Sequence, residues 1–328
     1  MSKTNKRKLS KKTIEIFILA IVAILFIIKG IPVIADFFRS TETVNYGELK
    51  ISEPVKCLVV RDETVYGAGS DSKISGSLAE GTLTRVNKKI MNLSKAEKDT
   101  GASSFEEYSE RLGDALITSD GVSKKRGILS YYIDGYEQIC SPQKIKDIKY
   151  KDFGNKDIKP ENISGGSAKK GDPIFKISDN GNWYLVFWIK QNDISKYEVG
   201  KSVTAEFEKG NVRGIVSSIN ADGDMWQVAV KTNRKYDDFT KYRYIEGDIV
   251  TLSRKGLIIS NSALTTKNKK VGCYVKNVSG DFVFKQVNVL ATDGEHTVVT
   301  NTEFNDKDGN LIKTVKDYDE ILKKPKKN

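Results

Sequence analysis

Short runs of β-branched and aromatic residues recur along most of the chain, separated by clusters of Gly, Asn and Asp. Residues 55–60 alternate in polarity and then stop at Arg61-Asp62-Glu63. Many short runs with close turn signals are typical of antiparallel sandwiches and barrels. The pattern predicts a mostly β protein, with further strands at residues 127–133, 173–177, 183–189, 202–207, 214–219, 225–231, 248–252, 257–260, 271–275, 282–290 and 296–300.

One stretch, residues 87–126, interrupts this pattern and predicts a helical insertion. Ser104 and Glu107 have the spacing of a capping box, which marks a helix start. Apolar residues follow at three-and-four spacing, which predicts one amphipathic helix, and residues 93–98 predict a shorter opposing helix. The insertion either covers the end of a barrel or is offered to a partner. The apolar stripe consists of Phe105, Tyr108, Leu112, Ala115 and Leu116.

Residues 13–35 predict a transmembrane anchor. Fifteen residues between 14 and 35 are Ile, Leu, Val or Phe, which contributes roughly −4 to −9 kcal/mol to membrane insertion. Glu15 and Lys29 oppose insertion only weakly because they lie near its ends. Residues 1–12 hold six basic residues and no acidic one, so we expect this basic tail in the cytoplasm and the C-terminal body outside the cell membrane. A cleaved signal peptide is the alternative.

The basic character of the chain is confined to its two ends. The formal net charge is +11, yet six bases lie in residues 1–12 and four in residues 323–328, which leaves 44 bases against 43 acids between them. A nucleic-acid-binding protein carries its positive charge on a folded surface. The charge distribution therefore predicts no nucleic-acid partner.

The residue types that carry metal or nucleophilic chemistry are scarce. His296 is the single histidine, and the three cysteines form no CxxC pair. Cys57 and Cys273 are in phase with neighbouring valines, which predicts small core residues; a Cys57–Cys140 disulfide is the alternative for Cys57 in an oxidising compartment. We therefore expect no catalytic site, no metal and no cofactor. The chain is predicted not to be an enzyme.

Several short sequence motifs, taken in their order along the chain, resemble the motifs of one protein family. Residues 168–177 (AKKGDPIFKI) are similar to the closing half of biotinyl/lipoyl-like domains. The phrases that follow are similar to the β-barrel and the last strands of membrane fusion proteins, and lie at residues 183–189, 197–203, 256–264, 271–275 and 284–290. Together with the anchor, the chain resembles the HlyD-type membrane fusion, or periplasmic adaptor, family in its Gram-positive form with a short helical hairpin.

This resemblance implies an order of domains. No carrier Lys stands at the turn between the lipoyl-like halves, because the insertion occupies that position, so no prosthetic group is implied. After the anchor, the implied order is a linker with a membrane-proximal strand (36–56), a lipoyl-like barrel-sandwich hybrid (57–182) that contains the α-helical insertion (87–126), a small β-barrel (183–255), a membrane-proximal β domain (256–318) and a basic tail (319–328).

The resemblance also implies a function. We expect a non-enzymatic, membrane-anchored adaptor of an export system that works with an integral membrane transporter, in particular one of the ABC type. The alternative is an extracytoplasmic scaffold of the same fold in a cell-envelope or division complex, and a homo-oligomer is also open. Partner contacts are predicted on the insertion, at Phe105, Tyr108, Arg111 and Leu112.

Overall fold

The computed structural model describes residues 40–96, 117–237 and 239–325, together with Ala20, Phe105, Tyr108 and Leu112. Strands dominate these residues, which confirms the prediction of a mostly β chain. The predicted anchor, residues 13–35, lies outside the described residues except for Ala20. Among the helices that are described, none has the length and apolarity needed to cross a membrane.

The strands are numbered in chain order. The first twelve are β1 (Thr41–Thr43), β2 (Asn45–Val60), β3 (Glu63–Ala68), β4 (Ser72–Ser75), β5 (Leu83–Thr84), β6 (Asn92–Lys95), β7 (Ile117–Ser119), β8 (Gly127–Ser130), β9 (Tyr132–Ile133), β10 (Glu161–Asn162), β11 (Ser167–Ala168) and β12 (Pro173–Ser178). The others are β13 (Trp183–Lys190), β14 (Ser202–Phe207), β15 (Gly210–Asp222), β16 (Met225–Thr232), β17 (Tyr244–Ser260), β18 (Thr265–Lys267), β19 (Lys270–Lys276), β20 (Phe282–Gln286), β21 (Val289–Thr292), β22 (His296–Val299), β23 (Glu303–Asn305), β24 (Leu311–Lys313) and β25 (Glu320–Leu322).

Four short helical segments lie wholly within the described ranges 40–96, 117–237 and 239–325. One of these four is an α-helix, and three are 3₁₀ helices. Their bounds are Tyr150–Phe153 for the α-helix and Pro142–Asp147, Gln191–Lys196 and Asn261–Ala263 for the 3₁₀ helices. By contacts the chain divides into two compact units. One is Lys50–Leu252, and the other combines the described parts of Met1–Leu49 and Ser253–Asn328.

A closed six-stranded barrel forms one part of the unit Lys50–Leu252. Its strands follow the order β14-β15-β16-β13-β2-β17, and β14 pairs with β17 to close it. Alternate side chains point inward because the side-chain period of a strand is two. Val203, Ala205 and Phe207 of β14 are accordingly buried in the barrel core. Trp183 lies in that core, whereas Trp188 of the same strand packs on the opposite face.

The outer face of β2, β13 and β16 is covered by a segment from Cys140 to Ile158. Leu58, Val186 and Ala229 on these strands pack against apolar residues of the segment. The buried amide of Gln227 donates hydrogen bonds to the carbonyls of Ile145 (2.9 Å) and Ile148 (2.6 Å). The segment is therefore held by both apolar contacts and satisfied backbone carbonyls.

A two-sheet sandwich forms the other part of this unit. Its sheets have the orders β5-β8-β12-β3-β7 and β11-β4-β6. β3 and β12 pair antiparallel at its centre, and Tyr66 stacks on Phe175 with ring centroids 4.5 Å apart. This arrangement joins the two predicted lipoyl-like halves through one strand pair.

The sandwich extends into the predicted insertion, which corrects two expectations. Residues 93–98 were expected to form a helix, but Asn92–Lys95 is strand β6 and pairs antiparallel with β4. At the other end, the helical insertion was expected to extend to residue 126, but Ile117–Ser119 is strand β7 and pairs parallel with β3. Hydrogen bonds to neighbouring strands therefore outweigh the helix propensity of Leu93–Ala96. Residues 96–116 separate these two strands, and most of that stretch lies outside the described residues.

The second unit has its own core. β1, β25, β19 and β18 form a sheet in that order, with β20 paired to β19. Residues 319–328 were expected to be a basic tail, but Glu320–Leu322 is β25, paired with Thr41–Thr43. Ile321 is fully buried in the core, so apolar burial fixes this segment. The tail prediction is wrong for these residues.

The three cysteines are free and buried. Cys57 packs inside the barrel, as predicted for a small core residue, while Cys140 packs on the outer face of the same wall. The two thiols thus lie on opposite sides of the sheet, and the Cys57–Cys140 disulfide does not form. Burial raises the pKa of Cys57, and it raises that of Cys140 and of Cys273 to about 12. All three thiols are therefore protonated at neutral pH and poorly nucleophilic.

Candidate functional site

Six charged side chains come together at the junction of the barrel and the sandwich. Two of them flank the chain's passage from β2 into β3, one lies in β12, two lie in the turn after β9, and one precedes β17. All six are almost completely buried, which is unusual for charged residues. We call them the buried charge cluster: Arg61, Glu63, Asp134, Glu137, Lys176 and Arg243.

Glu63 lies at the centre of this cluster. Its Oε1 accepts a hydrogen bond from Arg61 Nε at 2.8 Å and lies 2.7 Å from Lys176 Nζ. Its Oε2 accepts a hydrogen bond from Arg243 Nη2 at 2.7 Å. Burial alone would raise the pKa of Glu63, but Arg243, Arg61 and Lys176 outweigh burial and hold that pKa well below its ordinary value. Glu63 is therefore a carboxylate at neutral pH.

Arg243 connects Glu63 to a second carboxylate. Its Nε and Nη2 donate to the two oxygens of Asp134 at 2.9 and 3.0 Å, which is a bidentate pair. Its Nη1 donates to the carbonyl of Val59 at 3.1 Å. Burial lowers the pKa of Arg243, but Asp134 and Glu63 outweigh burial and raise it well above its ordinary value. The guanidinium stays charged.

Arg61 holds the loop that leads to Arg243. Its guanidinium donates to the backbone carbonyls of Phe239, Thr240 and Tyr242, at 3.1 Å for the last two. Burial lowers the pKa of Arg61, and Glu63 opposes that effect. Because an arginine presents several donors in a fixed plane, one side chain fixes a whole turn of backbone.

Within the described part of the chain, Glu137 has a partner for only one of its two carboxylate oxygens. Its Oε1 accepts the backbone N–H of Asp134 at 2.9 Å and lies 3.6 Å from Lys176 Nζ. Its Oε2 is buried without a hydrogen-bond partner among the described residues. Burial, followed by the nearby charge of Asp134, raises the pKa of Glu137, and Lys176 opposes this only in part. The environment therefore favours a protonated Glu137 over a wider pH range than usual.

The arrangement favours structural fixation over chemistry. Three cationic and three acidic side chains face each other in a dry interior, where removing one partner is costly. Groups of three or more His, Cys, Asp or Glu placed to hold a metal ion do not occur in the part of the chain that the structure describes. The cluster is thus suited to hold the barrel and the sandwich in one relative orientation.

The predicted partner-binding residues lie mainly against the sandwich core. Leu112 is buried, with 3% of its surface exposed, and Phe105 and Tyr108 pack against the same core. Arg111 lies outside the described residues. The structure therefore brings three of the four residues together on the sandwich. Their contact with a partner stays a prediction.

The buried charge cluster itself was not predicted from the sequence. One signal was available: Lys176 interrupts the apolar run Pro173–Ile177 of strand β12, in which every position is buried. A charged residue in such a strand requires an acidic partner. The pattern does not say which of 43 acidic residues supplies it.

Comparison with known protein families identifies the two parts of the unit. Residues 63–179 match the family described as RND related, barrel-sandwich hybrid domain, and residues 183–253 match RND related, beta-barrel domain. Together they cover more than half of the chain. The chain belongs to the HlyD-type membrane fusion family. Within this family the members are non-enzymatic adaptors. The family resemblance that the sequence predicts is thereby confirmed.

Solved structures of membrane fusion proteins and related proteins are similar over most of their length. ZneB from Cupriavidus metallidurans has 10% identity and a TM-score of 0.33, covering 88% of this chain and 93% of that chain. MacA from Actinobacillus actinomycetemcomitans has 12% identity and a TM-score of 0.35, covering 87% and 100%. The membrane fusion protein Spr0693 from Streptococcus pneumoniae R6 has 11% identity and a TM-score of 0.30, covering 61% and 98%. No curated protein matches this sequence.

The family domains place the buried charge cluster at their boundary. Glu63, Asp134, Glu137 and Lys176 belong to the matched barrel-sandwich hybrid, and Arg243 belongs to the matched β-barrel. The bidentate pair of Arg243 with Asp134 and its bond to Glu63 therefore join one membrane fusion domain to the next.

Proposed function

We propose that this membrane fusion protein is a non-enzymatic, membrane-anchored adaptor subunit of an export system that works with an ABC-type transporter. The observation that carries the proposal is the succession of a barrel-sandwich hybrid and a β-barrel of the RND-related type in one chain. The apolar residues 13–35 after a basic N-terminus support a single-pass anchor with the body outside the membrane.

The buried charge cluster supports an adaptor role. An adaptor that holds a transporter partner needs its domains in a fixed relative orientation. Domains that are joined only by a linker usually move relative to each other. Here three cations and three acids bridge the two domains without solvent. Separating the domains would break the pairs of Arg243 with Asp134 and Glu63, so separation is strongly opposed.

The short insertion supports the Gram-positive form of the family. Only 21 residues, 96–116, lie between the ends of β6 and β7. The helical hairpin predicted there has room for two helices of about nine residues, each about 14 Å long. We expect a hairpin of this length to reach a neighbouring membrane protein and not a second membrane. We assign the partner contact to Arg111 and to Tyr108, which is only partly buried against the sandwich core, because Leu112 is buried in that core.

Tagged full-length protein, recovered from membranes with its transporter partner, tests this assignment. Replacing Tyr108 and Arg111 by Ala is expected to reduce partner recovery at least about tenfold, since Tyr and Arg anchors carry much of such interfaces. The matched control replaces Tyr318, which is 76% exposed, and the exposed Arg254. Full recovery with folded Y108A/R111A protein would assign recognition to another surface, around residues 257–300.

The anchor is tested separately. Protease added to wall-less intact cells is expected to digest the body and to leave a tag at the N-terminus inside. A mature protein that begins near Asp36 would instead show a cleaved signal peptide.

A further inference from the structure

A cationic cavity of about 500 Å³ lies on the outer surface of the β-barrel domain. Its wall is formed by the residue before β13, the turn into β14, the first half of β15, and the end of β16 with the loop that follows it. Arg213, Lys231 and Arg234 contribute three exposed cationic side chains, and none of the described residues that line the cavity is acidic. The volume lies within the range of small-molecule sites.

Side-chain hydrogen bonds position this wall. Arg213 Nε donates to Ser202 Oγ at 2.9 Å, which fixes the guanidinium on the neighbouring strand. Thr232 Oγ1 donates to the carbonyl of Arg213 at 2.8 Å and accepts the N–H of Arg234 at 3.1 Å. A guanidinium carries five N–H donors, so the single bond to Ser202 leaves donors of Arg213 for a ligand.

The loop that carries Arg234 is anchored from inside the barrel. The indole Nε1 of the buried Trp183 donates to the carbonyl of Arg234 at 2.9 Å. Because Trp183 belongs to the barrel core, the backbone at Arg234 is attached to a rigid element. The two arginines are therefore presented from fixed backbone positions, which lowers the entropic cost of binding a ligand.

Three cations without an acid favour an anion of more than one charge. A phosphate monoester carries about −1.5 to −2 charges near neutral pH, and arginines pair with its oxygens in a bidentate geometry. Ile215, 53% exposed, gives the same cavity an apolar surface. We propose that this cavity binds a phosphate ester, with the phosphate between Arg213, Lys231 and Arg234 and the organic part against Ile215. This site is additional to the proposed adaptor function.

Calorimetric titration of the purified full-length protein in neutral detergent tests the site. sn-Glycerol 3-phosphate is the probe, and glycerol is the uncharged control. R213Q/R234Q is expected to weaken binding of the probe at least about tenfold, because charge-assisted hydrogen bonds are lost. The control K170Q/K190Q removes two exposed cations outside the cavity and is expected to keep the wild-type affinity. Equal thermal midpoints of the variants exclude misfolding.

Two sources of the phosphate ester are separated by repeating the titration in nanodiscs of phosphatidylcholine with or without phosphatidic acid, whose headgroup is a phosphate monoester like the probe. Loss of probe binding only in the presence of phosphatidic acid identifies a lipid headgroup as the competitor. Unchanged probe binding identifies a soluble ester, and either result supports the site. Absence of probe binding to wild type, binding of glycerol as strong as that of the ester, or an R213Q/R234Q affinity equal to wild type would overturn the proposal.

Discussion

Arg243 and Asp134 form a bidentate ion pair although 109 positions separate them in the chain, with nitrogen–oxygen distances of 2.9 and 3.0 Å. Arg243 precedes the barrel strand β17, and Asp134 lies in the turn after β9 of the sandwich domain. The same guanidinium reaches Glu63. Buried ion pairs, as well as apolar contacts, therefore fix the relative orientation of the barrel-sandwich hybrid and the β-barrel.

Glu63→Gln is expected to destabilise the protein by about 3–5 kcal/mol at pH 7, because it leaves Arg61, Lys176 and Arg243 buried without their shared carboxylate. Urea unfolding monitored by circular dichroism measures the loss. Asp62→Asn is the matched control, since this neighbour is 48% exposed and its ion pair with Lys125 is long, at 3.7 Å. The control is expected to change stability by less than about 1 kcal/mol. Equal effects of the two substitutions would contradict the central role of Glu63.

The stability of the protein is expected to fall on acidification. The folded-state pKa of Glu63 lies well below its ordinary value of 4.5. Its stabilising contribution is therefore fully present above about pH 4.5 and is lost as the pH falls toward the lowered pKa. Free energies of unfolding measured from pH 7 to pH 3 are expected to show this decline in the wild type and a weaker one in Glu63→Gln. Parallel curves would contradict the prediction.

Glu137→Gln is expected to leave stability at pH 7 nearly unchanged, within about 1 kcal/mol. The raised pKa of Glu137 means that its stabilising contribution is present below pH 4.5 and is lost as the pH rises through the folded-state value. The amide keeps an acceptor for the N–H of Asp134. A loss as large as that of Glu63→Gln would show that ionised Glu137 is required instead.

Gln227→Leu is expected to loosen the segment that covers the barrel wall. The substitution removes the donor to the carbonyl of Ile148, at about 1–3 kcal/mol for a buried group left unpaired. Among the described residues, it leaves the carbonyl of Ile145 with only the 3.3 Å bond from the N–H of Ile148. Limited proteolysis is expected to cut near Pro142–Asp147 faster than in the wild type. Gln143→Leu, at an exposed position of the same segment, is the control. Unchanged cleavage in Gln227→Leu would show that apolar contacts alone hold the segment.

Alternation of polarity was sufficient to predict most barrel strands. Ser202–Phe207 has the predicted bounds, and its buried positions alternate as an antiparallel strand with one wet face requires. Residues 248–252 and 257–260 were predicted as two strands but belong to one, Tyr244–Ser260. The exposed polar residues Ser253, Arg254 and Lys255 interrupt the apolar pattern between the two predicted strands. They lie within a continuous strand because none of them forces the backbone to reverse.

Long-range pairing explains what the sequence did not predict. Leu93–Ala96 has helical character, but an antiparallel partner at Ser72–Ser75 holds Asn92–Lys95 as a strand. The buried charge cluster depends on partners separated by more than 100 positions, such as Glu63 with Lys176 and Arg243. The helix or strand propensity of neighbouring residues carries no information about such long-range contacts. The cluster became visible only when the strands that carry its members were placed side by side.

The adaptor function is tested most directly by the identity of the protein's partner in its native membrane. Tagged full-length protein would be crosslinked in intact cells, purified from detergent-solubilised membranes and analysed by quantitative mass spectrometry, with Y108A/R111A and Y318A/R254A in parallel. We expect enrichment of the membrane subunit and the ATPase of an ABC-type transporter, lost in Y108A/R111A and retained in Y318A/R254A. Enrichment of wall-synthesis or division proteins without any transporter subunit would contradict the account and favour an envelope scaffold.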